Sequence, residues 1–339
     1  MLETVTQLED ALTAPPPALV RDLDSLDGDL LILGCSGKMG PTLARLAHRA
    51  LTEAGGGRRV LAVSRFTDAT ARNQLDEAGI ITIAADLLDR QQVSGLPDAS
   101  NVVYMVGTKF GTTGEAHQTW ATNVLAPAIA LERYATSRFV VFSSGNVYPF
   151  TPVTSGGATE CVSPEPVGEY AQSCLARERV FEYYAAQAGT HTTIFRLNYA
   201  VELRYGVVCD VGLAVQQEQE IDLAMGNANV IWQGDANAFA LRALTLARNP
   251  PKILNVTGPE TISIRWLAEQ FGERLGKKPR FAGEEAPSAL LSNAAEAFRL
   301  LGYPETPLAR VIDWTAHWIK IGGPALDKPT HFQEREGRF

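Results

Sequence analysis

Leu30-Leu31-Ile32-Leu33-Gly34-Cys35-Ser36-Gly37-Lys38-Met39-Gly40-Pro41 is the stretch whose reading decides the fold. A short apolar run enters a loop with three glycines and passes directly into Pro41–Glu53, whose apolar residues recur at helical spacing. Glycines allow a tight turn and let backbone approach a pyrophosphate closely. The N-terminus of the following helix offers unpaired N–H groups and a partial positive charge. Pro41 suits a first helical position, where a missing N–H costs nothing. A glycine triplet alone is weak; set between a first strand and a first helix, it predicts a dinucleotide-phosphate loop.

Outward from this loop the chain alternates strand and helix. Apolar runs stand at Asp29–Leu33, Val60–Val63, Ile80–Ala84, Val102–Val106 and Phe139–Phe142, with Thr192–Phe195 as a sixth. Helical stretches at Ala69–Ala78, Ala116–Ala135 and Tyr170–Ala186 separate most of them. Short continuous apolar strands between helices predict a parallel sheet covered on both faces, a Rossmann-type doubly wound α/β fold. Residues 29–197 are read as this dinucleotide-binding domain. Residues 1–28 form an N-terminal accessory arm whose helix, Glu3–Ala14, is stopped by Pro15-Pro16-Pro17. Residues 198–321 are expected to be mainly a smaller substrate-binding lobe, with some segments returning to the sheet. Its helices are placed at Leu213–Ile221, Ala236–Ala247, Ile264–Leu275 and Leu308–Ile319, and short strands at Val230–Trp232 and Ile253–Val256. Residues 322–339 are a polar tail.

Composition narrows the class. The chain has 339 residues, 45% hydrophobic and 20% charged, as for a globular enzyme with a substantial core. A net charge of −8 without basic blocks argues against a nucleic-acid partner. Four scattered cysteines (Cys35, Cys161, Cys174, Cys209) lack metal-site spacing and read as free thiols, and no metal is expected. There is no secretory pattern at the N-terminus and no apolar run of membrane-spanning length, so a cytoplasmic location and no membrane partner are expected.

The end of the second strand bears on the cofactor. An acidic residue there would bond an NAD ribose hydroxyl. This chain has Ser64-Arg65 instead, a hydroxyl and a permanent cation suited to a 2′-phosphate, and Lys38 can add charge nearby. NADP is preferred, with NAD possible.

These features together resemble the extended short-chain dehydrogenase/reductase family, also called the NAD-dependent epimerase/dehydratase family. The Gly34-x-x-Gly37-x-x-Gly40 spacing matches that family's nucleotide loop, which makes Gly34, Ser36, Gly37, Lys38, Met39 and Gly40 cofactor-binding candidates with Ser64 and Arg65. Asp86-Leu87 looks like the family's adenine-contacting pair, and Val106-Gly107 stands where it has a small-residue wall beside the nicotinamide ribose. Asn123 matches a helix asparagine, Ser143-Ser144-Gly145-Asn146-Val147-Tyr148 a serine-rich strand end, and Arg196-Leu197-Asn198 a segment near the nicotinamide. The resemblance covers roughly residues 29 to 319 and does not specify a substrate.

The resemblance implies that Ser144 and Tyr170 form the catalytic pair. Hydride transfer at a carbon needs an acid/base on the adjacent oxygen, and a tyrosine of lowered pKa can serve. The family lowers it with a lysine four residues after the tyrosine; here that position is Cys174. A thiol supplies no positive charge, and a thiolate would oppose tyrosine ionisation. Three readings stay open: another cation substitutes, with Lys109 beyond the fourth strand as candidate; another acid/base acts, with His117 and Glu169 as candidates; or the chain binds a dinucleotide as a catalytically degenerate sensor or scaffold. The leading expectation is hydride-transfer chemistry, as in an oxidoreductase or epimerase/dehydratase, on a sugar, nucleotide-sugar or small hydroxy/keto substrate. Nothing in the C-terminal lobe reads as a nucleotide-diphosphate clamp beyond isolated residues such as Arg204 and Arg242. A homodimer through the Ala116–Ala135 and Tyr170–Ala186 helices is expected of the family.

Overall fold

A computed structural model describes residues 1–108, 115–326 and 329–338. Seven parallel strands form one sheet: β1 (Leu30–Leu33), β2 (Val60–Ser64), β3 (Ile81–Ala84), β4 (Asn101–Tyr104), β5 (Arg138–Ser144), β6 (Thr192–Leu197) and β7 (Lys252–Val256). Their spatial order is β7-β6-β5-β4-β1-β2-β3. The order reverses between β1 and β4, and the crevice beyond the carboxyl ends of strands at such a switch point is where open α/β sheets take ligands. Register is continuous across it, with Leu31 beside both Leu61 and Val102. β1, β2 and β4 are buried throughout, as helices on both faces require.

All six expected strands are present, within two residues at each end. The seventh is Lys252–Val256, which joins the main sheet beside β6. The helix placed at Leu213–Ile221 lies instead at Val207–Gln216, and Glu220–Asp222 is a strand paired with Arg280–Ala282. Four valines and a glycine give Val207–Gln216 a weak helical signal, but packing overrides propensity. A side chain on Gly212 would meet Ile319 at 2.7 Å and Phe271 at 3.0 Å, so the glycine lets this helix approach its neighbours.

Two apolar clusters dominate. One covers a face of the sheet and includes α3 (Gly40–Glu53), the Gln233–Arg242 helix and α2 (Pro17–Asp24) through Leu19 and Leu23. Pro17 therefore begins a second helix as well as following the first. The other fills the C-terminal lobe and contains Leu8 and Leu12 of α1 (Val5–Leu12). The N-terminal residues are integrated into both: Glu9 pairs with Arg45 of α3 and lies 3.6 Å from Arg204. None of the described helices is long and apolar enough to cross a membrane.

Candidate functional site

The glycine loop assigns each glycine a different task. Gly34 has φ +91°, and a Cβ there would stand 2.8 Å from the Val106 backbone nitrogen, so it permits both the turn and the approach of the β4 end. A Cβ on Gly40 would lie 2.1 Å from the Cys35 carbonyl oxygen, which closes the loop onto its helix. Gly37 differs: nothing but the Gly34 carbonyl, at 3.6 Å, lies near its missing Cβ. It therefore presents bare backbone to the crevice. Cys35 is fully buried, and that burial pushes its thiol up to about 12. It is a packing residue.

Beyond the sheet edge lie two adjoining compartments that share Gly37, Met105 and Gly107. The smaller, about 250 Å³, is lined by Ser36, Ser64, Arg65, Asp86, Leu87 and Val106, among others. Ser36 and Ser64 are hydrogen-bonded through their hydroxyls, tying the loop to the end of β2. Arg65 is exposed at the rim. The larger, about 390 Å³, brings together Lys38, Met39, Ser144, Tyr170 and Asn198. Lys38 is thus on the opposite side of the loop from Arg65, its ammonium 3.3 Å from the centre of the Tyr205 ring. That corrects the expectation that it adds charge beside Ser64 and Arg65.

Ser144 ends β5; its hydroxyl donates to Asn146 Oδ1 at 3.0 Å and accepts from the Asn146 amide at 3.1 Å. Tyr170 sits in the first turn of the Gly168–Ala188 helix, half-buried. Burial raises its pKa above the ordinary phenol value, and Cys174 raises it further, while Arg177 and a hydrogen bond with Ser144 act in the lowering direction. Cys174 is buried in a small cluster with Val147, Tyr148 and Ala158. Asn198 is buried, its amide donating to the Leu290 carbonyl at 3.3 Å.

Of the alternative acid/base candidates, His117 is 72% exposed beside Glu115, and Glu169 accepts from Trp120 Nε1 at 2.5 Å; neither lines the larger compartment. Lys109 lies outside the described residues. Arg204 pairs with Glu202 at 3.1 Å, and Arg242 with Asp22 at 2.6 Å. Both cations are committed to the frame.

Two buried side chains beside the larger compartment escaped the sequence reading. Glu178, fully buried, holds Arg196 through two bonds of 2.9 and 2.6 Å and accepts from Ser143 Oγ at 2.5 Å. Arg196 continues to the Tyr148 hydroxyl at 2.7 Å, which donates to Asn255 Oδ1 at 2.8 Å. This network braces β5, β6 and β7 directly beneath Ser144. Arg177 is 4% exposed; its Nε donates to the Asn123 carbonyl at 3.2 Å and its Nη1 to the Phe142 carbonyl at 2.8 Å. Its Nη2 has no hydrogen-bond partner among the described residues, and the side chain lines the compartment that holds Tyr170. A helical-face reading from Tyr170 through Cys174 to Arg177 was the available signal.

Comparison with known proteins agrees with this geometry. Among solved structures, a UDP-glucose 4-epimerase of Thermotoga maritima superposes with a TM-score of 0.71 at 17% identity, covering 86% of this chain and 98% of that one. A dTDP-glucose 4,6-dehydratase of Streptomyces venezuelae, with NAD and TYD bound, gives 0.73 at 18%, over 86% and 97%. An epimerase of Methanothermobacter thermautotrophicus gives 0.72 at 15%, over 90% and 96%. At such identities the likeness is one of fold. No curated protein sequence matches this chain significantly. The profile of the NAD dependent epimerase/dehydratase family matches residues 30–201, half of the chain, from β1 through the glycine loop, Ser144 and Tyr170 to the end of β6. The chain is an enzyme of the NAD dependent epimerase/dehydratase family.

Proposed function

We propose that this enzyme binds NADP(H) in preference to NAD(H) and performs hydride-transfer chemistry on a small hydroxy or keto compound, sugar-like in its polarity, with Ser144 and Tyr170 at the reacting oxygen. The observation that carries the reading is convergence: Ser144 and Tyr170 share one compartment with Gly37 and Gly107, the two glycines that open it to the dinucleotide crevice. The residues fit a dinucleotide, since a Cβ on Gly37 would fill the crevice itself and the exposed guanidinium of Arg65 has the charge and planarity for a phosphate. When bound, the nicotinamide supplies or accepts the hydride.

The protein's own contribution is proton handling. The Tyr170 hydroxyl donates to the oxygen that becomes an alkoxide, and the Ser144 hydroxyl steadies the same oxygen. A phenol whose pKa is raised stays protonated across ordinary pH, yet an alkoxide is the stronger base, so this transfer runs downhill. The raised value therefore suits carbonyl reduction more than alcohol oxidation. Lys38, Tyr199, Tyr205 and Gln233 also line this compartment, where a substrate would meet them. Arg204 and Arg242 are committed to ion pairs, so neither is offered to a diphosphate there, which favours a small substrate over a nucleotide sugar.

The test is direct. Purified protein should bind NADPH more tightly than NADH by fluorescence titration, and reduce members of a sugar and hydroxy/keto panel. Tyr170→Phe should abolish turnover with binding intact; full activity in that variant overturns the assignment. The burial of Cys174 against Tyr170 favours one second reading, a dinucleotide sensor with no turnover, which the same panel separates. We also read the Leu125 and Tyr183 side chains, 48% and 61% exposed on the paired helices, as supporting a homodimer, to be checked by light scattering.

A further inference from the structure

Position 174 lacks the cation that a tyrosine acid/base needs, and the helix itself indicates where one can come from. Tyr170, Cys174 and Arg177 are spaced i, i+4, i+7 and lie along one helical face. Side chains on a helix lean toward its N-terminus, so a long side chain from position 177 reaches back over position 174. Cysteine is small enough to leave that path open; a lysine there would occupy it.

We propose that Arg177 is the positioning cation of this active site, holding positive charge beside Tyr170 in the place of the missing lysine; the proposal rests on the placement of Tyr170 in the site. Three independent features support it. The guanidinium is buried and fixed on two of its three nitrogens, by the carbonyls of Asn123 and Phe142. The third nitrogen, Nη2, is buried beside the cleft without a hydrogen-bond partner among the described residues. Gly107 makes room for it, since a Cβ there would stand 2.9 Å from Nη2. A buried N–H group left without a bond is costly unless something arrives to accept it. Its position against Gly107, at the junction of the two compartments, keeps that unmet bond and its charge at the edge of the crevice. Asn123 completes the arrangement: its side chain bonds the Thr108 amide at 2.9 Å and Ser173 Oγ at 2.8 Å, tying the β4 end to the helix that carries Tyr170. The charge acts against burial and Cys174, the two influences that raise the Tyr170 phenol.

The experiment reads the phenol without requiring turnover. 3,5-Difluorotyrosine placed at position 170 of the full chain brings the titration into an accessible range, followed by ultraviolet absorbance. Arg177→Gln should move the midpoint up by about one pH unit or more. Cys174→Lys in the Arg177→Gln background should bring it back down. Gly107→Ala, which pushes on Nη2 without deleting either carbonyl bond, should move it the same way by less, and it serves if Arg177→Gln does not fold. A midpoint unmoved in folded Arg177→Gln, or in Gly107→Ala where Arg177→Gln does not fold, overturns the proposal, whatever happens to melting temperature. A midpoint that moves in a protein with no turnover on any panel member keeps Arg177 in its role and removes the proposed reaction instead.

Discussion

The two compartments of the cleft are built in opposite ways. The dinucleotide compartment is assembled largely from strand ends and the residues immediately after them: Gly34 to Gly40 after β1, Ser64-Arg65 at β2, Asp86-Leu87 after β3, Val106-Gly107 after β4. The compartment proposed for catalysis draws Lys38, Ser144, Tyr170, Arg177, Tyr205, Gln233 and Thr330 from across the chain. The first is a local device that the backbone makes with glycines. The second depends on buried side chains reaching each other over long sequence distances, and there a change at one position can be met by a change at another.

That contrast is open to test. The largest effect is expected in the catalytic half's foundation: Glu178→Ala leaves Arg196 buried without its carboxylate and should cost about 3–5 kcal/mol of stability, measured by denaturant unfolding. A smaller loss would mean that the buried network is not what braces the site. Tyr170→Phe should then lower turnover by about two to four orders of magnitude with dinucleotide affinity unchanged, by steady-state kinetics and fluorescence titration. In the dinucleotide half, paired glycine variants separate two roles. Gly40→Ala collides with the Cys35 carbonyl and should destabilise the fold by about 1–3 kcal/mol. Gly37→Ala meets no such obstacle, so its melting temperature should stay near wild type while dinucleotide binding is lost. Arg65→Ala should weaken NADPH by about tenfold, ~1.4 kcal/mol, and leave NADH unaltered. The smallest effect concerns pH. Because the Tyr170 phenol is raised, it stays protonated, and carbonyl reduction should show no loss from its ionisation between about pH 6 and pH 9. A basic limb in that range that disappears in Tyr170→Phe would show a phenol lowered after all.

The same contrast explains what the sequence made legible. The strand pattern and the glycine spacing predicted the doubly wound sheet because both signals are local and periodic. Ser144 and Tyr170 were reachable through resemblance, and they do meet in one compartment. Arg177 was not, since its relevance depends on knowing that the Tyr170 face of the helix turns toward Gly107. Lys38 was misplaced because a loop residue can point to either side of the crevice, and contacts far along the chain, the Tyr205 ring and the charge of Asp210 among them, draw it to one. The Val207–Gln216 helix was shifted because its valines are held helical by burial against Phe271 and its neighbours, not by propensity.

Two segments far apart in the sequence carry one more consequence. Leu8 and Leu12 pack into the lobe near Trp232, while Thr330 bonds Asp210 and lines the catalytic compartment, and Gly337 lies against Gly168 at the start of the tyrosine helix. During synthesis the nucleotide loop can form as soon as the first strands emerge. The wall of the other compartment has to wait for Thr330, which follows all seven strands in the chain. A nascent chain stalled before Thr330 would then present the nucleotide loop without a finished neighbouring compartment, so the order of translation separates the two in time as the architecture separates them in space.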